Sequence, residues 1–154
     1  MNSGFALELK SHLNLDINRL EECYYQIYQY EPIDEKETIF VFTDQADIKT
    51  ISKQLSRYNI VEDIHDLLFF EDAKISGRFY DYGWHGKFYY LYRDLIQPFQ
   101  IIDGEEAQIQ MAILQIEEDL IAYNNKERIF FVDLQFRELI EGYASAYNIG
   151  VEFL

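Results

Sequence analysis

The sequence predicts a fold of the α/β or α+β class: one domain spanning residues 1–154, a mixed sheet, and helices packed on it. Two observations carry the class. Ile39-Phe40-Val41-Phe42 and Ile129-Phe130-Phe131-Val132 are continuous apolar runs of strand length, the pattern of strands buried on both faces. Each leads through an aspartate into an amphipathic helix that ends in Tyr-Asn-Ile: IFVFTDQADIKTISKQLSRYNI (39–60) and IFFVDLQFRELIEGYASAYNI (129–149). A strand, helix, strand rhythm predicts parallel pairing through right-handed crossovers. The likeness strengthens the class; short βα units resemble one another by chance, so duplication is not inferred from it. A third observation predicts an antiparallel component. Between Arg78 and Arg93 lie eight aromatic residues, and the stretch 73–94 holds three glycines, the composition of an aromatic β-hairpin.

In chain order, residues 1–13 fit a short helix or a strand around Phe5 to Leu9. Asn14 to Tyr30 reads as a helix. Ile17, Leu20, Tyr24, Ile27 and Tyr28 fall on one face, Asp16 is placed to cap its start, and Pro32 ends it. Ile39–Phe42 is a strand. Ile48, Ile51, Leu55 and Tyr58 stripe a second helix. Asn59 to Phe70 reads either as a short helix or, over Leu67–Phe70, as a strand.

The hairpin follows. Gly83-Trp84-His85-Gly86 has the glycines of a tight turn, so Tyr82 is expected opposite Lys87, with Trp84 at the turn. That register puts Ile75, Phe79, Phe88, Tyr90 and Tyr92 on a core face. Arg78, Tyr80, Tyr82, Lys87, Tyr89, Leu91 and Arg93 fall on an outer face. Pro98 breaks the chain. Asp103 and Glu106 have capping-box spacing for a third helix, striped by Ile109, Ile113, Ile116 and Leu120 and ended by Asn124-Asn125. Ile129–Val132 is a strand. Phe136, Leu139, Ile140, Tyr143 and Tyr147 stripe a final helix, and residues 150–154 close with a short strand.

Composition narrows the function. The hydrophobic fraction of 49% and charged fraction of 27% are those of a folded chain. Residues 1–10 show no basic start followed by an apolar run, and no apolar stretch approaches a membrane span. The lone Cys23 fits a reducing compartment. A cytoplasmic protein is expected. The net charge of −15 repels nucleic-acid backbone and anionic membrane and attracts basic partners. Solubility alone is the simpler reading of that charge.

Chemical motifs are scarce. Asp44 and Asp133 follow their strands, where open α/β sheets bind ligands, so a small metal-dependent enzyme built on the two carboxylates is one reading. Helix capping is the plainer one. His12, His65 and His85 are too dispersed for a metal site. Cys23 fits a buried structural thiol. There is no phosphate loop, nucleophile elbow or Cys-x-x-Cys pair, so no catalytic residue, cofactor or metal is expected.

What remains is recognition. Tyr80, Tyr82, Trp84, His85 and Tyr89 have the composition of binding hot spots. The segment 61–72 holds five acids, Glu62, Asp63, Asp66, Glu71 and Asp72, and no Lys or Arg. Together they predict a non-enzymatic binding protein for a basic partner. In composition it is similar to the antitoxin-like immunity proteins that cover a toxic nuclease, acids speeding encounter and aromatics supplying short-range energy. Packing of the hairpin under a helix, or burial in a homodimer, is the alternative use of its aromatics. Single-stranded nucleic acid fits the four bases of the hairpin but not the charge of the chain.

Overall fold

A computed structural model describes residues 1–11 and 14–154. The fold is α+β: four α-helices pack with antiparallel sheets. The chain divides into two compact units, one of residues 2–69 and one of Met1 with residues 70–154.

The first unit contains β1 (Asn2–Leu9), α1 (Ile17–Gln29), β2 (Asp34–Lys36), β3 (Ile39–Phe42), α2 (Gln45–Leu55) and, except for its last residue, β4 (Val61–Phe70). Asp16 caps α1 as the sequence predicts, its Oδ1 accepting from the Arg19 N–H at 3.0 Å. β1 lies in the middle, antiparallel to β3 on one side and β4 on the other, with β2 outside β3. Leu7, Leu9, Phe40 and Phe42 alternate onto the face covered by α1 and α2. There they meet Cys23, Ile27, Ile48, Ile51 and Leu55. Ala6 and Val41, on the opposite face, are buried too, which accounts for the unbroken apolar run of β3.

The second unit opens with β5 (Lys74–Ile75) and the hairpin strands β6 (Gly83–His85) and β7 (Tyr89–Tyr92). There follow β8 (Ile96–Asp103), α3 (Glu106–Glu117), β9 (Ala122–Asn124), β10 (Ile129–Asp133), α4 (Arg137–Tyr147) and β11 (Gly150–Phe153). Its sheet runs β11-β8-β10-β9-β5, every pairing antiparallel. Phe99, Phe130 and Val132 face Ala112 and Ile116 of α3 and Ile140 and Ala144 of α4.

From β8 onward the second unit repeats the first element for element: βαββαβ with the first strand between the third and the fourth. This is the split β-α-β, or ferredoxin-like, arrangement. Details coincide. Asp44 accepts from the Ala46 N–H at 2.7 Å and Asp133 from the Gln135 N–H at 2.8 Å. Asn59 and Asn148 both end their helices at φ +53°, a left-handed conformation that asparagine tolerates. The sequence likeness of 39–60 and 129–149 therefore marks structurally equivalent segments.

Five expectations need correction. The third helix ends at Glu117, well before Asn124-Asn125, and Asn124 is the last residue of β9. Sheet pairing is antiparallel, not parallel. β3 and β4 do point the same way, as a crossover through α2 requires, but β1 runs between them in the opposite direction. Residues 61–70 form one ten-residue strand. Asp103 does not cap α3. It is the last residue of β8, paired with Gly150, and its side chain accepts from the Gly104 N–H, while Glu105 stands at the N-cap.

The hairpin register also differs. Gly83 pairs with Leu91, Trp84 with Tyr90 and His85 with Tyr89, so the turn is Gly86-Lys87-Phe88, closed by the Gly86 N–H to the Phe88 carbonyl at 3.0 Å. Trp84 is a strand residue, stacked on Tyr90 at 4.8 Å between ring centroids and 4% exposed. Leu91, expected on the outer face, is fully buried, whereas Phe79 and Tyr90 are buried as expected. The cause is Gly83. Its absent side chain serves strand contact and not a turn, since a Cβ there would lie 1.8 Å from the Tyr90 carbonyl oxygen.

Candidate functional site

In the first unit the acids of β4 are at its exposed end. Glu62, Asp63 and Asp66 are all exposed. The β1–β4 register skips Glu62, which bulges out, and sets Asp63 directly opposite Glu8. Like charges in that position destabilise a sheet. The His65 Nε2 lies 2.7 Å from Glu8 Oε2, within hydrogen-bond distance. Glu62 and Asp66 make no ion pair or side-chain hydrogen bond among the described residues.

The remaining candidates lie in the second unit. Tyr80 is 63% exposed, its ring edge-on to Phe79. Tyr82 is half-buried and its hydroxyl donates to Asp133 Oδ2 at 2.7 Å. Trp84 is buried and offers no outer surface. His85 is exposed and lies flat on the half-buried Tyr89 ring, 4.0 Å between centroids. Glu71 and Asp72 are exposed, and Asp72 accepts from the Asn125 amide at 3.3 Å. The structure thus joins Tyr82 to Asp133 and His85 to Tyr89, and Tyr80 and Tyr89 both meet the buried Phe79 edge-on.

The Tyr82–Asp133 bond is testable. The hydrogen bond to Asp133, then burial, then the charge of Asp133 push the Tyr82 hydroxyl above its ordinary pKa. A hydrogen bond to a charged group contributes about 1.5–3 kcal/mol, and the half-buried position favours the lower end. A raised pKa stabilises the fold fully below the ordinary tyrosine value of about 10, and the contribution fades as pH rises through the folded-state value. Urea unfolding of Tyr82→Phe is expected to show a loss of about 1.5 kcal/mol at pH 7. The gap to wild type closes above pH 10 or so. A gap constant to pH 11 or so would contradict this assignment.

Asp44 and Asp133 each cap the turn that follows their strand. Among the described residues there is no group of three or more His, Cys, Asp or Glu side chains placed to hold a metal ion. Cys23 is buried; burial first, then the charge of Glu22, raise its thiol pKa and disfavour the thiolate. His12 lies outside the described residues. Among those residues no helix is long and apolar enough to cross a membrane.

One feature escaped the sequence reasoning. In the first unit an open groove of about 650 Å³ runs between α1 and α2, lined by Gln26, Gln29, Tyr30, Thr50, Lys53, Gln54 and Arg57. Lys49, Lys53 and Arg57 recur every four residues, and the stretch 48–61 contains no acid. That spacing was the signal, overshadowed by the acidity of the whole chain. The Gln54 amide donates to the Tyr30 hydroxyl at 3.1 Å across the groove. The Arg57 guanidinium lies over the Tyr58 ring and donates to its hydroxyl, which in turn donates to Glu22. Lys53 makes no ion pair among the described residues.

Comparison with family models, with curated proteins and with solved structures finds no match.

Proposed function

We propose that this chain is a non-enzymatic acidic binding protein that covers a basic surface on a protein partner, such as the substrate channel of a nuclease toxin. The observation that carries the reading is the acidic end of β4. Asp63 stands opposite Glu8, with Glu62 bulged beside it and Asp66 exposed further along. Such charge opposes the fold that displays it, and a basic partner would neutralise it. A net charge of −15 adds long-range attraction for the same class of partner. In the second unit, the exposed Tyr80 and the exposed His85 on the half-buried Tyr89 are suited to short-range contact.

The test is capture from native lysate at low salt, followed by titration of the purified partner, with the product of the neighbouring gene as the first candidate. A basic protein is expected whose affinity falls steeply with salt. The variant Glu62→Gln/Asp63→Asn/Asp66→Asn should bind about tenfold or more weakly, with stability unchanged or slightly higher. Absence of a basic partner, or a salt-insensitive complex, would overturn the proposal.

A further inference from the structure

The internal repeat supplies a control for the α1–α2 groove. Equivalent residues of the two units follow from the shared caps and from the Tyr-Asn-Ile helix ends. Positions that build the fold agree: Ile51 with Ile140, Leu55 with Ala144, Asn59 with Asn148 and Ile60 with Ile149. The outward face does not agree. Lys49, Lys53 and Arg57 correspond to Glu138, Gly142 and Ala146, so neither the architecture nor the helix requires cations there.

The seam between the helices differs in the same way. Gln54 and Tyr30 hydrogen-bond across α1 and α2, and the equivalent Tyr143 and Asp119 hydrogen-bond across α4 and α3 at 3.2 Å. In the second unit the larger Tyr143 stands at that position, packed against the core, and the two helices are in more extensive contact. In the first unit the smaller Gln54 leaves the groove open, with two cations on its wall.

From this we propose that the α1–α2 groove is a binding site for a small oxyanion, the phosphate or carboxylate group of a low-molecular-weight ligand. The proposal stands apart from the basic-partner reading above. The donors suit it. Lys53 supplies a mobile ammonium. Arg57 is oriented by Tyr58, with guanidinium N–H groups left over after the one given to that hydroxyl. The Tyr30 hydroxyl accepts from Gln54, so its own proton remains to donate, and Gln29 adds an amide. Glu22, the acid nearest in this hydrogen-bonded chain, is engaged by the Tyr58 hydroxyl.

The test titrates the full chain with inorganic phosphate, adenosine monophosphate and citrate, each at fixed ionic strength, following NMR shifts. Saturable shifts at Lys53, Arg57, Gln29 and Tyr30 are expected. Tighter binding of the two phosphates assigns a phosphate ligand, and tighter binding of citrate a carboxylate. Lys53→Gln should weaken binding about tenfold, the loss of one charged hydrogen bond. Lys49→Gln, one turn away and outside the lining, should not. All three are exposed surface positions whose folding is checked by circular dichroism, and Arg57→Lys tests the fork geometry separately. No saturable shift with any probe, or equal effects of Lys53→Gln and Lys49→Gln, overturns the site.

Discussion

Replacing Phe40 by alanine is expected to cost about 3–5 kcal/mol, the range for truncating a buried phenylalanine. Phe40 is 1% exposed in the core of the first unit. Its ring meets Tyr24 and Tyr28, each 5.9 Å away between centroids, the second edge-on. Alanine leaves a cavity that the rigid sheet cannot close, and it removes both ring contacts. Domains of this size are stable by only about 5–15 kcal/mol in total, so the variant should unfold at much lower denaturant concentration. Thr43→Ala is the control. Thr43 is exposed, just beyond β3, and is the single residue by which the first repeat exceeds the second; its replacement should stay within about 0.5 kcal/mol. Urea unfolding followed by circular dichroism measures both. A loss below about 1.5 kcal/mol for Phe40→Ala would mean that the α1–α2 layer does not pack on β3 as described.

What could be read from the sequence was what the backbone encodes locally. The Asp16 cap, the apolar runs of β3 and β10 and the α2 stripe are periodicities or caps that the structure reproduces; the α1 and α4 stripes hold only in part, since Ile27 and Ile140 are buried but Ile17, Tyr28 and Leu139 are exposed. The short strands β2 and β9 leave no trace in the sequence, because three residues carry no periodicity. β8 is hidden in the sequence by Pro98, which reads as a break. There Pro98 is paired with Phe131 in register, and its carbonyl accepts from the Leu154 N–H. Strand order was hidden for a different reason. Nothing within 39–60 indicates that β1, more than thirty residues earlier, inserts beside β3 and reverses the pairing. The repeat was visible in 39–60 and 129–149. Its first halves are not, because β1 and β8, and α1 and α3, preserve only burial: Cys23 matches Ala112 and Ile27 matches Ile116, while Glu105, at the position of the Asp16 cap, makes no side-chain cap.

The candidate site divides along the same line. Exposed acids are read correctly from composition, since carboxylates rarely lie inside. The burial of Trp84 is not legible locally, because exposure in a hairpin depends on register, and a shift of one residue exchanges the faces. The α1–α2 groove needed both helices in place. Only the basic spacing on α2 was local.

Register also makes Gly83 the most sensitive position of the hairpin. A Cβ there would meet three backbone atoms: the Tyr90 oxygen at 1.8 Å, the Tyr90 carbonyl carbon at 2.8 Å and the Leu91 Cα at 3.0 Å. Backbone cannot turn aside as a side chain can, so β6 and β7 must separate or slip. Gly83→Ala is expected to cost about 3 kcal/mol, the upper part of the overpacking range. The chain has a single tryptophan, and it is next in sequence to the substituted residue. Trp84 leaving its stack on Tyr90 for water should shift its fluorescence to longer wavelength, so one measurement reports the hairpin alone. Gly77→Ala is the matched control: nothing lies within 4 Å of its Cβ position, and stability should change by no more than about 0.5 kcal/mol. If Gly83→Ala keeps both its melting temperature and its emission, Gly83 does not face Leu91, and the strand must be shifted toward the turn that the glycines alone would predict.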